Sequence, residues 1–352
     1  MITTIAGGGT TGLGDGGPAT SAQLSYPSWV TLDSVGNIFI ADAGNNLIRK
    51  VDSAGIITTV AGSSPGGFSG DGGPALDAEL LNPDYIIFDT HGNLYIADWQ
   101  NNRLRKVNTS GIITTIAGNG TIAYSGDGVP ATSTGLSIGG FIFDPHGNIL
   151  FADLESGRIR KIDTAGIIYT LDSGLTDPSM VIYDDAGNLV VPNENAQTIV
   201  KIDTATGAIT TIAGTTDYQG FSGDGGAATA AELSEPESIV FDSCGALYIS
   251  DLWNNRIRRV IYDTACTITT SGLSVGTVSA GPLRVYPSPA ADELNITASG
   301  IISTIGITNI TGQQVYAGNY STSQVQVNVS ALPAGIYFVK INDTEVRKFV
   351  KE

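Results

Sequence analysis

Histidine is the residue from which acid–base or metal chemistry would first be expected, and the chain has only two, His91 and His146. Both lie in a His-Gly-Asn segment at the same place in a repeated pattern. Equivalent positions in neighbouring repeats do not converge, so the pair does not predict a zinc site, which needs several ligands around one ion. We also find no Ser-His-Asp set and no phosphate-binding loop before a helix. The sequence therefore predicts no catalytic residue.

Aspartate, arginine and tryptophan recur around one loop of the repeated pattern, as in Ala-Asp-Trp-Gln-Asn-Asn-Arg at 97–103. One interpretation is that the aspartate and arginine order this loop within their own repeat. The other is that they form a polar and aromatic surface for a sugar or peptide, since tryptophan offers a large apolar face and one hydrogen-bond donor. The residues of this second interpretation are Asp98, Trp99, Arg103, Asp153, Arg158, Asp251, Trp253 and Arg256.

Four longer insertions between the repeats share a Gly-Asp-Gly core. Their aspartates are Asp15, Asp71, Asp127 and Asp224. One interpretation makes these aspartates calcium or ligand contacts, and the other makes each of them stabilise its own turn. Because the alternating acids of an EF-hand loop are missing, calcium is only weakly indicated, and we predict no other cofactor.

Five copies of one segment determine the predicted architecture: LDSVGNIFIAD, FDTHGNLYIAD, FDPHGNILFAD, YDDAGNLVVPN and FDSCGALYISD. Each copy continues through two more short apolar runs, so we expect four strands per copy, at about 84–88, 93–97, 103–107 and 112–117 in the second. Four-stranded units that stack radially on their neighbours form a propeller. The repeat resembles the NHL repeat of β-propeller proteins over residues 1–270. The resemblance implies an all-β, commonly six-bladed ring, here with five recognisable repeats.

Residues 2–7, Ile-Thr-Thr-Ile-Ala-Gly, match the last strand of a copy, so an additional N-terminal strand is predicted. Either earlier blades have been lost, or this strand closes the ring against the last copy. We favour the first interpretation because Thr-Ile-Thr-Thr at 267–270 already resembles a final outer strand. The first residues also lack the basic and apolar regions of a secretory signal, so a signal peptide is absent from this sequence.

Composition excludes several classes of partner. The formal charge of -17, from 34 acidic and 17 basic residues, disfavours binding to nucleic acid or anionic membranes. No apolar run approaches the roughly 20 residues that span a bilayer, so we expect no transmembrane segment.

The only two cysteines, Cys244 and Cys266, lack metal-ligand spacing, and a disulfide between them is possible.

The pattern changes after a linker at 271–281, and residues 282–352 read as a small antiparallel β-sandwich of alternating strands. This segment resembles the type A sorting domain of the type IX secretion system. The matching residues include Tyr286, Pro287, Pro289, Gly312, Pro333, Gly335, Tyr337, Lys348 and Lys351. The resemblance implies that the type IX secretion machinery is a partner and that the protein reaches the outside or the outer-membrane surface of a bacterium.

The predicted function is an exported or surface-attached binding scaffold for an unknown extracellular protein, peptide or carbohydrate. Some propellers similar to this one are enzymes, so a secreted lyase or hydrolase acting on carbohydrate or peptide is the alternative. An adhesion component is the third possibility.

Overall fold

The computed structural model describes residues 2–242, 244–261, 284–286, 290–309, 313–342 and 345–351. The chain forms two compact units, Met1–Ile268 and Thr269–Glu352.

The described residues of the first unit form five antiparallel sheets, one for each sequence repeat, and these are the blades of the predicted propeller. The first blade comprises β1 (Pro27–Leu32), β2 (Ile38–Asp42), β3 (Leu47–Val51) and β4 (Ile57–Ala61). The second comprises β5 (Pro83–Phe88), β6 (Leu94–Asp98), β7 (Arg103–Val107) and β8 (Ile113–Ala117). The third comprises β9 (Val129–Pro130), β10 (Ile138–Phe143), β11 (Ile149–Asp153), β12 (Arg158–Ile162) and β13 (Ile167–Ser173). The fourth comprises β14 (Ile182–Tyr183), β15 (Leu189–Asn193), β16 (Thr198–Ile202) and β17 (Ile209–Ala213), and the fifth β18 (Pro236–Phe241), β19 (Leu247–Asp251) and β20 (Arg256–Val260).

The turn between the first two strands of a blade is fixed by its Asp-x-x-Gly-Asn sequence. In the second blade the Asp89 carboxylate accepts hydrogen bonds from the backbone N–H groups of His91 and Asn93, both at 2.9 Å. Gly92 has a φ of 81°, a left-handed conformation that favours glycine. His91 is thus an exposed turn residue whose backbone, rather than its ring, defines the structure.

The first strands of the blades lie next to one another around the axis. The rings of Trp29 and Tyr85 are 4.1 Å apart, and those of Tyr85 and Phe141 are 5.1 Å apart. Gly140 donates its backbone N–H to the Ser179 carbonyl at 2.7 Å. The side chains between these strands form the largest apolar cluster of the unit, so burial between blades stabilises their radial arrangement.

Insertions that precede the first three blades pair antiparallel with the fourth strands of those blades. The backbone N–H of Gly72 donates to the Ile113 carbonyl at 2.8 Å, and the Ile113 N–H donates to the Gly73 carbonyl at 3.0 Å. The residues that follow form a short 3-10 helix in three of the four insertions, at Ala19–Ser21, Ala131–Ser133 and Ala228–Ala230. The other helices among the described residues of the first unit directly follow the second strands of their blades, at Ala43–Asn45, Trp99–Asn101 and Glu194–Ala196.

The second unit is an antiparallel sheet of five strands: β21 (Arg284–Tyr286), β22 (Glu293–Asn309), β23 (Gln314–Asn328), β24 (Gly335–Ile341) and β25 (Glu345–Lys351). The long strand β22 pairs with β21, β23 and β24. Its core contains Leu294, Val327 and the stacked rings of Tyr337 and Phe349, whose centroids are 5.5 Å apart. In the described part of the chain, no helix has the length and apolarity needed to cross a membrane.

Candidate ligand site at the axis of the blades

The aspartate that ends the second strand of a blade is buried inside it. In the second blade, Asp98 accepts hydrogen bonds from the Leu81 backbone N–H at 2.8 Å and the Asn101 side chain at 2.8 Å. It also accepts one from Arg105 at 3.1 Å, and both side chains of this ion pair are fully buried. Asp153 and Asp251 are buried in the same way. These predicted ligand-binding aspartates therefore have internal partners.

The Gly-Asp-Gly aspartates bind the same arginines from the other side. Asp71 lies 2.9 Å from Arg105, which also donates to the Ser69 carbonyl at 3.0 Å. The equivalent ion pairs are Asp15–Arg49, Asp127–Arg160 and Asp224–Arg258. Each of these arginines thus lies between a buried aspartate and an insertion, and it ties the insertion to its own blade. We call this arrangement the arginine clamp, and its arginines are Arg49, Arg105, Arg160 and Arg258. The described residues contain no cluster of three His, Cys, Asp or Glu side chains arranged for a metal ion.

The arginines that begin the third strands pack against aromatic rings of the insertions. The Arg103 guanidinium lies 3.6 Å from the centroid of Phe68, and Arg105 stacks on the same ring at 4.8 Å. Arg103 also donates to the carbonyls of Asn101 and Asn119 at 2.8 and 3.0 Å. The same stacking joins Arg158 to Tyr124 and Arg256 to Phe221. The geometry thus gives these predicted site residues a role in ordering the loops.

The two predicted tryptophans do not occupy equivalent positions. Trp99 directly follows Asp98, is 37% exposed and lines a cavity at the axis. Trp253 lies one residue further from its aspartate, Asp251, and its indole N–H donates to Glu235. Only Trp99 of the eight predicted ligand-binding residues is part of the axial cavity.

The axial cavity has a volume of about 530 Å³ and is lined by residues of all five blades. Its aromatic wall includes Trp29, Tyr85 and Trp99. Three carboxyl groups line it, and its described lining residues include no lysine, arginine or histidine. They are Asp84, Glu194 and Glu237. The cavity is therefore both aromatic and acidic.

Burial and mutual repulsion disfavour the charged forms of these carboxyl groups. Burial, with the nearby charges of Asp177 and Glu237, raises the pKa of Glu194 to about 8. Burial and the charge of Asp84 raise the pKa of Glu237. Burial also raises the pKa of Asp84. A cation in the cavity would relieve this repulsion, and aromatic faces attract cations as well.

Sequence reasoning missed these three acids, although a signal was present. Glu194 occupies the position that is Ala43, Trp99, Leu154 or Leu252 in the other copies. Asp84 and Glu237 share another position, which holds serine or glycine elsewhere. The acids thus stand where the copies differ, within a backbone that the copies share.

The clamp arginines were missed too, and their signal lay in the fourth copy. Where other copies have arginine this copy has Val200, where they have aspartate it has Asn193, and it has no Gly-Asp-Gly insertion. The three features disappear together, as expected for residues that interact with one another. Asn193 keeps one role of the aspartate, because its side chain accepts the Thr176 backbone N–H at 2.6 Å.

The sorting residues lie in the second unit and are only partly described. The Tyr337 side chain is buried, and its hydroxyl donates to the Pro333 carbonyl at 2.8 Å. Gly335 begins β24, Lys351 is buried at the end of β25, and the backbones of Tyr286 and Lys348 lie in strands. Pro287, Pro289 and Gly312 lie outside the described residues.

In the first unit Cys244 is disulfide-bonded, and its predicted partner Cys266 also lies outside the described residues.

Two family models match the chain. Residues 8–67 and 65–125 match the Teneurin NHL domain, and residues 284–352 match the Secretion system C-terminal sorting domain. The sheets and these matches confirm the prediction of an NHL-type β-propeller followed by a secretion sorting domain. A sorting domain of this kind implies export to the cell surface or outer-membrane region.

Similar proteins include Teneurin-1 of Homo sapiens, which is 28% identical over 264 residues, covering 70% of this chain and 8% of Teneurin-1. Teneurin-1 of Gallus gallus is 27% identical over 354 residues, covering 96% of this chain and 12% of that protein. The chain spans about a tenth of the length of these relatives. Among solved structures, virginiamycin B lyase from Staphylococcus aureus has a TM-score of 0.46 and 19% identity, with 92% of this chain and 94% of that chain covered.

Proposed function

We propose that the protein is an exported binding module whose axial cavity recognises a cationic group on an extracellular peptide or protein. The observation that carries this proposal is the combination, in one cavity, of three carboxyl groups and an aromatic wall without a basic side chain among the described lining residues. The sorting domain supplies the route to the cell surface. The propeller then presents the cavity to molecules outside the cell.

The chemistry of the lining favours an ammonium or guanidinium group over a neutral ligand. Carboxylates in a partly dehydrated site form charge-assisted hydrogen bonds with such groups. The faces of Trp29 and Trp99 add cation–π attraction, worth about 0.5–2 kcal/mol per contact. Lysine or arginine side chains of a peptide supply both interactions.

Binding of a cation is expected to release a proton from Glu194. Its pKa of about 8 keeps this carboxyl group largely protonated at neutral pH, and a bound cation would lower that pKa. The affinity for the cation should therefore rise as the pH is raised through the pKa of Glu194 in the free protein. Calorimetry in buffers of different ionisation enthalpy would detect the released proton.

The test is titration of the full chain with an arginine-rich peptide and with its uncharged citrulline counterpart. We expect only the arginine peptide to bind, and Glu194→Gln and Glu237→Gln each to weaken binding by roughly tenfold. Asp77→Asn removes an exposed carboxyl group of an insertion and should leave the affinity unchanged. Equal binding of the two peptides, or an unchanged affinity of both cavity variants, would show that the cavity does not select by charge.

A carbohydrate hydrolase is the second candidate, because one observation favours it. Glu194 is protonated near neutral pH and lies near other carboxyl groups, which is how glycosidases arrange a general acid and its partner. For this function Glu194→Gln would abolish sugar release from polysaccharides. For a binding module, no release would be detected from the wild-type chain.

A further inference from the structure

A cavity of about 390 Å³ lies between the fourth and fifth blades, beside the turns that join their first two strands. Its described lining includes three apolar side chains, two carboxyl groups and one ammonium group, namely Val190, Ile212, Phe241, Asp184, Asp185 and Lys201. We call it the interblade cavity. Because an apolar cavity of about 150 Å³ accommodates benzene, this cavity is large enough for an aromatic ring.

The equivalent place between the second and third blades is filled by the ring of Tyr95. This ring packs edge-on against Phe143, with the two centroids 4.9 Å apart and an interplanar angle of 78°. The Lys106 ammonium lies 5.2 Å from the centroid of Tyr95. The Tyr95 hydroxyl donates to the Asp89 carboxylate at 3.3 Å. One phenol ring thus has three partners, which come from two neighbouring blades.

The fourth and fifth blades keep these three partners. The equivalents of Phe143, Lys106 and Asp89 are Phe241, Lys201 and Asp184. In place of Tyr95, however, the fourth copy has Val190. Each of these two residues lies directly opposite the lysine of its own blade across the sheet. The interblade cavity is therefore bordered by the same set of partners that surrounds a phenol ring in the second blade.

Other copies fill this place with their own side chains. Between the first and second blades, Phe39 packs against Phe88 with their centroids 4.7 Å apart. Between the third and fourth blades, Leu150 and Tyr183 pack in one buried cluster. Valine is the smallest side chain at this position among the five copies. The cavity thus lies where the repeat has lost a large side chain.

The charges around the cavity favour a neutral phenol over an anionic ligand. The Asp184 carboxylate is held by its turn, because it accepts the backbone N–H groups of Ala186 and Asn188 at 3.0 and 2.8 Å. Asp185 adds an exposed second carboxyl group. A phenol hydroxyl donates to a carboxylate, whereas an acidic ligand would be repelled by both aspartates. The Lys201 ammonium is attracted to the face of an aromatic ring.

We infer that the interblade cavity binds a phenol ring, of the kind carried by tyrosine side chains and by small phenolic compounds. The ring takes the place that Tyr95 has in the second blade. It packs against Phe241, interacts with the Lys201 ammonium and donates its hydroxyl to Asp184. The interblade cavity shares no described lining residue with the axial cavity, so this site is independent of the function proposed above.

The test is titration of the full chain with p-cresol, which is the side chain of tyrosine, followed by ligand-observed NMR. We expect a Kd on the order of 0.1–1 mM. Toluene, which lacks the hydroxyl, should bind roughly threefold more weakly or worse. Val190→Tyr places the ring of the second blade in the cavity and should abolish binding.

Two matched lysine variants locate the bound ring. Lys201→Met removes the cation beside the cavity and should weaken p-cresol binding roughly twofold to fivefold. Lys106→Met makes the same change in the second blade, where the ring belongs to the chain itself, and should leave the affinity unchanged. Equal losses in the two variants would overturn the inference, because binding would then not depend on this cavity.

The remaining outcomes separate the sources of the ring from failure of the inference. N-Acetyltyrosinamide that competes with p-cresol assigns the site to tyrosine residues of a peptide, and p-cresol binding without such competition assigns it to free phenolic compounds. No p-cresol binding up to about 10 mM would overturn the inference, as would unchanged binding to Val190→Tyr or equal affinity for toluene. Circular dichroism checks the fold of Val190→Tyr, and the lysine variants decide the question if that chain does not fold.

Discussion

Removing the buried aspartate of one blade is the sharpest test of the arginine clamp. In Asp98→Ala, Arg105 keeps its place inside the second blade but loses its only fully buried counterion among its described ion-pair partners. The Leu81 N–H and the Asn101 side chain lose an acceptor as well. Breaking a buried ion pair by removing one partner typically costs about 3–5 kcal/mol, and we expect a loss of stability in that range.

The outer aspartate of the same arginine provides a matched comparison. The Asp71 side chain is 40% exposed, so water compensates for much of its interaction with Arg105. Asp71→Ala should therefore cost only about 1 kcal/mol. The difference in unfolding free energy between Asp98→Ala and Asp71→Ala therefore measures how much burial strengthens the interaction of an aspartate with Arg105.

The fourth blade shows how the loss of Asp98 can be compensated. It has Asn193 and Val200 at the positions of Asp98 and Arg105, and both are buried. The double variant Asp98→Asn/Arg105→Val reproduces this pair and leaves no buried charge. We expect it to be more stable than Asp98→Ala, within about 1–2 kcal/mol of the wild-type chain.

Equilibrium unfolding in denaturant, followed by tryptophan fluorescence, measures these differences. All three tryptophans, Trp29, Trp99 and Trp253, lie in the first unit, so the signal reports on the propeller. Equal losses for Asp71→Ala and Asp98→Ala would refute the reasoning about burial. A double variant less stable than Asp98→Ala would refute the claim that the uncompensated charge causes the loss.

Three further predictions concern the axis and the second unit. Because the pKa of Glu194 is raised from 4.5 to about 8, the stability contributed by its neutral form is complete below pH 4.5 and is lost as the pH rises through 8. Thermal unfolding should therefore find Glu194→Gln more stable than the wild-type chain in alkaline buffer, by on the order of a few kcal/mol. In acid the two chains should be equally stable. Gly139→Ala places a Cβ 2.2 Å from the Ser179 oxygen, so denaturant unfolding should show a loss of about 1–3 kcal/mol. Deleting residues 282–352 should leave a folded propeller by circular dichroism but abolish export in a fractionated culture, and unchanged secretion would contradict this prediction.

The propeller could be predicted because its information is local and repeated. The strands predicted in the second copy agree with β5 to β8 within one or two residues. Alternating apolar residues and Asp-x-x-Gly-Asn turns act over a few residues, and five phased copies reinforce each other.

The partners of the predicted aspartates could not be derived in this way. Asp71 and Arg105 are 34 residues apart, and Arg103 lies directly opposite Asp98 across the sheet. Strand register therefore suggests Arg103 as the partner of Asp98, yet its side chain leaves the sheet to stack on Phe68. Whether Arg103 or Arg105 turns inward to Asp98 depends on how the insertion folds back against the blade. The periodic pattern of the strands does not specify the path of the insertion.

Differences between copies locate the axial cavity better than their common motif does. Residues that recur in the copies, such as the clamp arginine, make contacts inside their own blade. Positions facing the axis take no part in the arginine clamp, and the copies hold different side chains there. The fourth copy, which has lost the clamp, carries Glu194, the acid whose pKa is raised to about 8. Blades built on one repeated pattern thus line a cavity whose side chains differ from blade to blade.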